Sequence, residues 1–381
     1  MPSSLLSLVD QRRIMVCAGA GGVGKTTIAA ALSLGAAMRG KRVLCMTVDP
    51  AKRLADTLGL NDLGDQPQAV AQSRFAELGI AVPGSLSVLV IDTKSTFDEL
   101  VRRHAPSAEV CDRILQNRLY SYVSTSLAGT QSYMAMEKVL SVKADERFDL
   151  VVLDTPPTSD ALEFLNAPER LIEALDSPAM RWLVQAFTSS GKLSFNVLAR
   201  GFAAVLRSVG KLTGRGLLEH MAEFVSELNE LFGGFKERAR KVSEAFRGSE
   251  FAYVIVATPS PMALEEAKFF ASRLSDLGMR GDAIVMNRVH RAMAEGPSSS
   301  ELAQALSARG LAPELGPAVE RAFAEETLQS KLDAREIERF QRHLAGLRGG
   351  APLVTQVPAL AGDVHDFRVL FAIAEELLKA K

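Results

Sequence analysis

Nine residues constrain this chain more than any others: Gly19-Ala20-Gly21-Gly22-Val23-Gly24-Lys25-Thr26-Thr27. Gly19 to Thr26 satisfies G-x-x-x-x-G-K-[ST], a loop whose backbone N–H groups cradle phosphate oxygens. That chemistry needs a strand in front and a helix behind, and both are legible. The apolar burst Ile14-Met15-Val16-Cys17-Ala18 leads in, and an Ala/Leu-rich run to about Arg39 leads out, ended by Gly40. Glycines let the backbone wrap with its N–H groups inward, and a helix starting near Lys25 lends its positive end to a phosphate. Lys25 is then placed for the β- and γ-phosphates, and the Thr26 hydroxyl for Mg²⁺. A nucleotide site is the expectation.

The rest of the chain is punctuated to match. Arg42 to Val48 reads as a second strand, with further apolar runs at 86–91, 148–153, 251–257 and 282–286 and a weaker one at 353–357. Continuous apolar runs without alternation, separated by helical patterns, are what parallel strands buried on both faces look like. The predicted fold is α/β: a doubly wound, mostly parallel sheet of the P-loop NTPase kind with an inserted all-helical subdomain. The ATPase-type domain is assigned to 9–170 and 248–381, and the helical insertion to 171–247. Within the insertion, Leu198, Phe202, Val205, Leu206 and Val209 form one apolar stripe. Met221, Phe224, Val225, Leu228, Leu231, Phe232, Phe235, Ala239, Val242 and Phe246 form a longer one, with a kink expected at Gly233-Gly234. Gly296-Pro297-Ser298-Ser299-Ser300 reads as a surface loop.

Two carboxylates are candidates for the chemistry. Asp154 closes the apolar run 148–153, at the carboxyl end of a buried strand, where Mg²⁺ needs support; the plainer reading is a turn-starting Asp before Pro156-Pro157. Asp49 closes the second strand in Thr47-Val48-Asp49-Pro50. It either positions an attacking water near the γ-phosphate or caps a helix.

Composition removes other classes. Lys plus Arg is 44 and Asp plus Glu 45, so no chain-wide attraction draws this protein to nucleic acid. Residues 192–247 carry ten Lys and Arg against six Glu, a local excess that is either a solvated face or a surface for anionic partners. Three dispersed cysteines, Cys17, Cys45 and Cys111, make no disulfide framework, and no leader or membrane span is evident, so a cytoplasmic protein is expected. His104, His220, His290, His343 and His365 show no metal-ligand spacing.

Taken together these pieces resemble the deviant-Walker P-loop ATPases, and more narrowly the family of the arsenite-pump ATPase and the ATPase that targets tail-anchored membrane proteins. The likeness is carried by GAGGVGKTT (19–27), VDPAKRLADTLG (48–59), LDTPPTSDALEFL (153–165), AYVIVATPSPMALEEA (252–267), IVMNRV (284–289) and VPALAGDVHDF (357–367). The resemblance implies ATP and Mg²⁺ as ligands. Gly19 to Thr27 would hold the phosphates, with Lys25 and Asp49 as the catalytic pair and Thr26 and Asp154 serving the metal. Asn287 would bond adenine, and the segment from Pro358 to Asp363 would offer backbone contacts to the base. It further implies a dimer closing over two nucleotides and an apolar-helix protein client. The two apolar stripes either pack on each other and on the ATPase core or line a groove for this client, with Phe187, Phe195, Phe202 and Phe224 as candidates for its lining. Membrane association would be at most peripheral, and no nucleic acid partner is implied.

Two departures from the family pattern stand out. The family's loop usually begins Gly-Lys-Gly-Gly, with a lysine that reaches the partner's phosphates; here that position is Ala20. A methyl cannot neutralise charge on a transferred phosphoryl group. Slow hydrolysis, substitution by Lys52 or Arg53, and pairing with a lysine-bearing paralogue are three explanations that stay open. The chain also has no Cys-x-x-Cys, which speaks against zinc-held dimerisation and arsenite binding. Three functional classes follow: an ATP-hydrolysing switch, a nucleotide-binding regulatory subunit of a heterodimer, and, less well matched by DPAKR and DTPPTSD, a small-molecule kinase.

Overall fold

A computed structural model describes residues 4–48, 58, 60, 66–117, 120, 124, 130–156, 158–178, 236–291, 298–346, 351–360 and 367–379. Asp49, Lys52, Arg53, the stripe at 198–209, the four candidate groove phenylalanines and residues 361–363 lie outside them, as does 221–246 up to residue 235. The chain gathers into two units. One comprises Met1–Val90, Asp145–Ala161 and Ser249–Lys381; the other comprises Ile91–Ala144 and Leu162–Gly248.

The first unit is built on an eight-stranded sheet in the order β3-β4-β2-β5-β1-β6-β7-β8. Its strands are β1 (Ile14–Gly19), β2 (Arg42–Thr47), β3 (Gln68–Ala69), β4 (Ser85–Val90), β5 (Leu150–Asp154), β6 (Phe251–Ala257), β7 (Gly281–Val289) and β8 (Leu353–Pro358). Every neighbouring pair is parallel except β3 with β4. β1, β5 and β6 are buried along their whole length, which is why their sequences run apolar without alternation. Only β3, two exposed residues long, had no apolar signature to read.

Register then decides what meets at the carboxyl edge. Asp154 ends β5 opposite Cys17 of β1 on one side and Thr47 of β2 on the other. Gly19 ends β1 opposite Val256 of β6. The short helix α1 (Leu5–Gln11) precedes β1, and the loop after β1 feeds α2 (Lys25–Met38), whose residues from Ile28 to Ala37 are all buried. Alanine is what lets a helix lie sunk between layers, since a short side chain keeps its axis close to the sheet. The helix Phe367–Leu377 packs on the same helix, with Leu378 against Gly35. Gly40, at φ +89°, reverses the chain after α2 where a residue with a Cβ would be strained.

The long helix Gly316–Leu344 is tied to the end of β7 by Asp333, which accepts from the His290 backbone N–H (2.9 Å) and bonds its ring Nδ1 (2.7 Å). Ser298 caps the helix Ser299–Ala308 in a reciprocal pair with Glu301. The surface loop expected at Gly296–Ser300 therefore gives way to a helix start from Ser298 onward, because the Ser-x-x-Glu spacing satisfies two orphan backbone donors.

The second unit is helical where it is described. Glu137, on the helix Thr130–Lys143, is only 2 % exposed and accepts two hydrogen bonds from Arg238 Nε, at 2.7 and 2.8 Å, and one from the Tyr133 hydroxyl. Residues 236–246 are helical, with Ala239, Val242 and Phe246 buried and Phe246 edge-on to Phe164. This end of the predicted long stripe faces inward.

In the first unit, Arg42 and Asp149 clamp the starts of β2 and β5, at 2.6 Å between Nη2 and Oδ1 and 3.0 Å between Nε and Oδ2. The Arg42 side chain holds the Asp149 carboxyl down at about 2, so the unfolded chain takes up the proton first. Stability from this pair is present above the ordinary aspartate range and is lost as pH falls toward about 2. The site faces solvent, so Asp149→Asn is expected to cost at most about 1 kcal/mol at neutral pH. In urea unfolding the gap between wild type and variant should narrow from about pH 6 to about pH 3; a gap independent of pH would refute the assignment.

Candidate nucleotide site

The phosphate loop leaves β1 at Gly19, whose Cα lies so near the Val256 carbonyl that a Cβ would collide with it. Gly22 and Gly24 take left-handed conformations, φ +77° and +93°, which only glycine adopts without strain. Gly21 and Gly22 are exposed and open to approach, while Ala20 and Val23 turn inward, 7 % and 3 % exposed, into the apolar core. Gly24 is the N-cap of α2 and no side chain caps that helix. The start of a helix without a side-chain cap is a position that favours an anion.

Lys25 is 8 % exposed, and its ammonium donates to the Ala20 carbonyl at 2.8 Å, across the base of the loop. Thr26 donates its hydroxyl to Asp154 Oδ2 at 2.7 Å, and Thr47 donates to the same oxygen at 3.2 Å. Asp154 is 2 % exposed, and its Oδ2 is met by hydroxyls from α2 and β2. Thr27 follows in the first turn of α2, half-buried. Thr155, next along from Asp154, donates both its N–H (3.1 Å) and its hydroxyl (2.9 Å) to the Cys17 carbonyl, fixing the start of the segment that follows β5.

On the other side of β1, Asn287 lies near the end of β7, 5 % exposed, and donates its amide to the Val23 carbonyl at 2.8 Å. Pro358 ends β8 opposite Val289, and the Ala359 N–H donates to the Val289 carbonyl at 2.9 Å. The structure thus brings together Gly19 to Thr27, Asp154 and Asn287, with Pro358 on the strand beside Asn287. Asp49 falls outside the described residues. Thr47 is the residue that sequence reading passed over: a lone hydroxyl at the end of an apolar strand, in register with Asp154, was the available signal.

The donor set suits a phosphate with a hard cation. Backbone N–H groups and a lysine serve an anion, and hydroxyl and carboxylate oxygens are what Mg²⁺ takes. Among the described residues no group of three His, Cys, Asp or Glu is placed to hold a metal. Within the residues described, no helix is long and apolar enough to cross a membrane.

Comparison with known proteins now has geometry to rest on. The signature of the anion-transporting ATPases matches residues 12–306. The chain belongs to that family. Among its relatives in the family, the ATPase GET3 of Malassezia globosa is 24% identical over 294 residues, 76% of each chain. The ATPase get3 of Aspergillus terreus is 26% identical over 295 residues, 76% of this chain and 77% of that one. A putative arsenical pump-driving ATPase of Aquifex aeolicus is 26% identical over 282 residues, 73% of this chain and 63% of its own.

Cys17 and Cys45 sit within β1 and β2, and Cys111 is buried in the helix Ala108–Gln116. Burial, then the charge of Asp154, pushes the Cys17 thiol well up; burial pushes Cys45 to about 12. A thiol that does not ionise does not alkylate. Iodoacetamide at about pH 8 should leave the peptides bearing Cys17 and Cys45 unmodified in the folded protein and modify both after unfolding in guanidinium. Labelling of either in the native state would contradict this burial.

Proposed function

We propose that this chain binds Mg²⁺-ATP at the phosphate loop, hydrolyses it, and works as a nucleotide-driven switch whose helical unit handles an apolar protein segment. The observation that carries the reading is the hydrogen bond from Thr26 to Asp154, one residue from Lys25, at the carboxyl edge of the sheet. A hydroxyl and a carboxylate suited to Mg²⁺ beside a lysine suited to phosphate support the reading. The ATPase names of the relatives agree with it.

In this reading Gly19, Ala20, Gly21, Gly22, Val23, Gly24, Lys25, Thr26 and Thr27 hold the phosphates, and Lys25 leaves the Ala20 carbonyl to stabilise charge on the transferred group. Thr26 and Asp154 hold Mg²⁺, which when bound neutralises the phosphate oxygens. Asp49 accepts the hydrogen bond of the attacking water and sets its direction. Asn287 and the backbone near Pro358 meet the adenine. The segment after Asp154 is the natural relay, because the chain enters the second unit eight residues on, at Leu162. We take 9–170 and 248–381 as the ATPase domain and 171–247 as the effector region. The protein would act as a dimer in the cytoplasm, with any membrane contact peripheral. Burial of Cys17 and Cys45 favours protein handling over arsenite binding.

A second reading rests on Ala20. Its methyl is buried, so this position sends no cation toward a partner's phosphates. A heterodimer with a lysine-bearing paralogue, this chain binding nucleotide and turning it over little, follows from that.

Turnover of Mg²⁺-ATP by the purified chain, with its mass followed with and without a non-hydrolysable analogue, separates the two. The switch predicts measurable hydrolysis, a fall of about 100-fold or more in Lys25→Ala and in Asp49→Asn, and a dimer with the analogue. Binding without turnover on a persistent monomer selects the heterodimer reading. Failure to bind any nucleotide sinks both.

A further inference from the structure

Asn287 makes a contact that reading a base does not require. β6 separates β7 from β1, yet the Asn287 amide reaches the loop that follows β1 and donates to the Val23 carbonyl at 2.8 Å. A carbonyl only accepts, so the amide nitrogen is the atom turned to the loop. The next residue, Gly24, lies so near that a Cβ there would collide with the same nitrogen. The strand is irregular at this point: the β7–β8 register shifts between Met286 and Val289, and Arg288 is left-handed at φ +57°, the only described residue other than glycine with a positive φ. Such irregularities in a strand re-aim a side chain at the cost of local strain.

The Val23 C=O and the Gly24 N–H belong to one planar trans peptide, so they point in opposite directions. Holding the carbonyl toward Asn287 turns the Gly24 N–H the other way. We propose that Asn287 is a positioning residue for the phosphate loop: it fixes the Val23–Gly24 peptide so that the Gly24 N–H faces the bound phosphates, independently of any contact with the base. This rests on the nucleotide-binding reading above. It gives one amide two duties, and makes grip on the phosphates sensitive to a residue 263 positions away from Gly24 in sequence.

The test uses a ligand with no base. Binding of Mg²⁺-tripolyphosphate and of Mg²⁺-ATP is measured by calorimetry for the whole chain and for Asn287→Ala and Asn287→Asp. Hydrogen exchange of peptides covering 19–27 and 251–257 is followed without nucleotide. Loss of one buried hydrogen bond at the loop should weaken both ligands roughly tenfold. Asn287→Asp should be the worse variant, because it keeps the size of asparagine but sets an oxygen against the Val23 carbonyl. A side chain that merely filled space would give the reverse order, with Asn287→Ala worse, and would overturn the proposal. Exchange at 19–27 should quicken in both variants while 251–257 stays protected. Tripolyphosphate binding that is unchanged while ATP binding falls would confine Asn287 to the base and also overturn the proposal. If Asn287→Asp does not fold, Asn287→Ala decides through tripolyphosphate binding and loop exchange. Should wild type bind neither ligand, the nucleotide reading fails, and exchange at 19–27 still judges the brace.

Discussion

A carboxylate with 2 % of its surface exposed needs hydrogen bonds to meet its charge, and Asp154 takes two at Oδ2 from hydroxyls of two other segments. Thr26 belongs to α2 and Thr47 to β2. One side chain therefore fixes the first turn of the helix behind the phosphate loop against the ends of two neighbouring strands. The segments leaving those strands, after Thr47 and after Asp154, start from a common point. In the proposed function, a ligand drawing on Thr26 or Asp154 would act on both starting points at once. The Val48 N–H donating to the Asp154 carbonyl at 3.4 Å adds a backbone tie at the same junction.

That junction depends on the layers behind it. β1 lies buried between β5, paired from Ile14 to Cys17, and β6, paired along its whole length, because its residues are apolar on both faces, and α2 can lie close because half of its buried residues from Ile28 to Ala37 are alanine. Gly35 under Leu378 shows how little room is left between α2 and the chain's last helical turn. Register carries this packing to the site: a slip of one residue between β1 and β5 would move Asp154 away from Cys17 and turn its side chain to the opposite face.

Much of this was legible beforehand, for reasons that differ by element. The seven longer strands announced themselves as apolar runs, and 251–257 matched to the residue, because burial on both faces leaves no polar position inside the run. β3 was illegible because two exposed residues at an antiparallel edge carry no burial signal. Ser298 was misread as loop, although Glu301 three residues on was the mark of a helix start. In the helical unit a stripe of apolar residues tells which face turns inward and not which neighbour it meets. The pairing of Arg238 with Glu137, across 101 residues, had no sequence signal. Spacing and strand ends single out the loop, Lys25, Thr26 and Asp154, and the structure brings Thr26 and Asp154 to 2.7 Å. The tie from Asn287 to Val23 was not, since nothing in a sequence says which backbone carbonyl an amide will reach.

A loop that binds an anion presents N–H groups, so its carbonyls have to find donors elsewhere. Two are accounted for: Ala20 offers its carbonyl to the Lys25 ammonium, and Val23 offers its own to Asn287. The first of these is temporary by nature, because Lys25 is also the phosphate ligand in the proposed chemistry and cannot serve both at full strength. The second is made by a side chain on a different strand, which the proposed chemistry does not ask to move. The loop is thus tied at its Gly24 end by an amide and at its Ala20 end by a cation. Preorganised donors at the Gly24 end act without reorganisation when phosphate arrives. In the proposed chemistry Lys25 would leave the Ala20 carbonyl for phosphate, while the Ala20 methyl stays buried in the core.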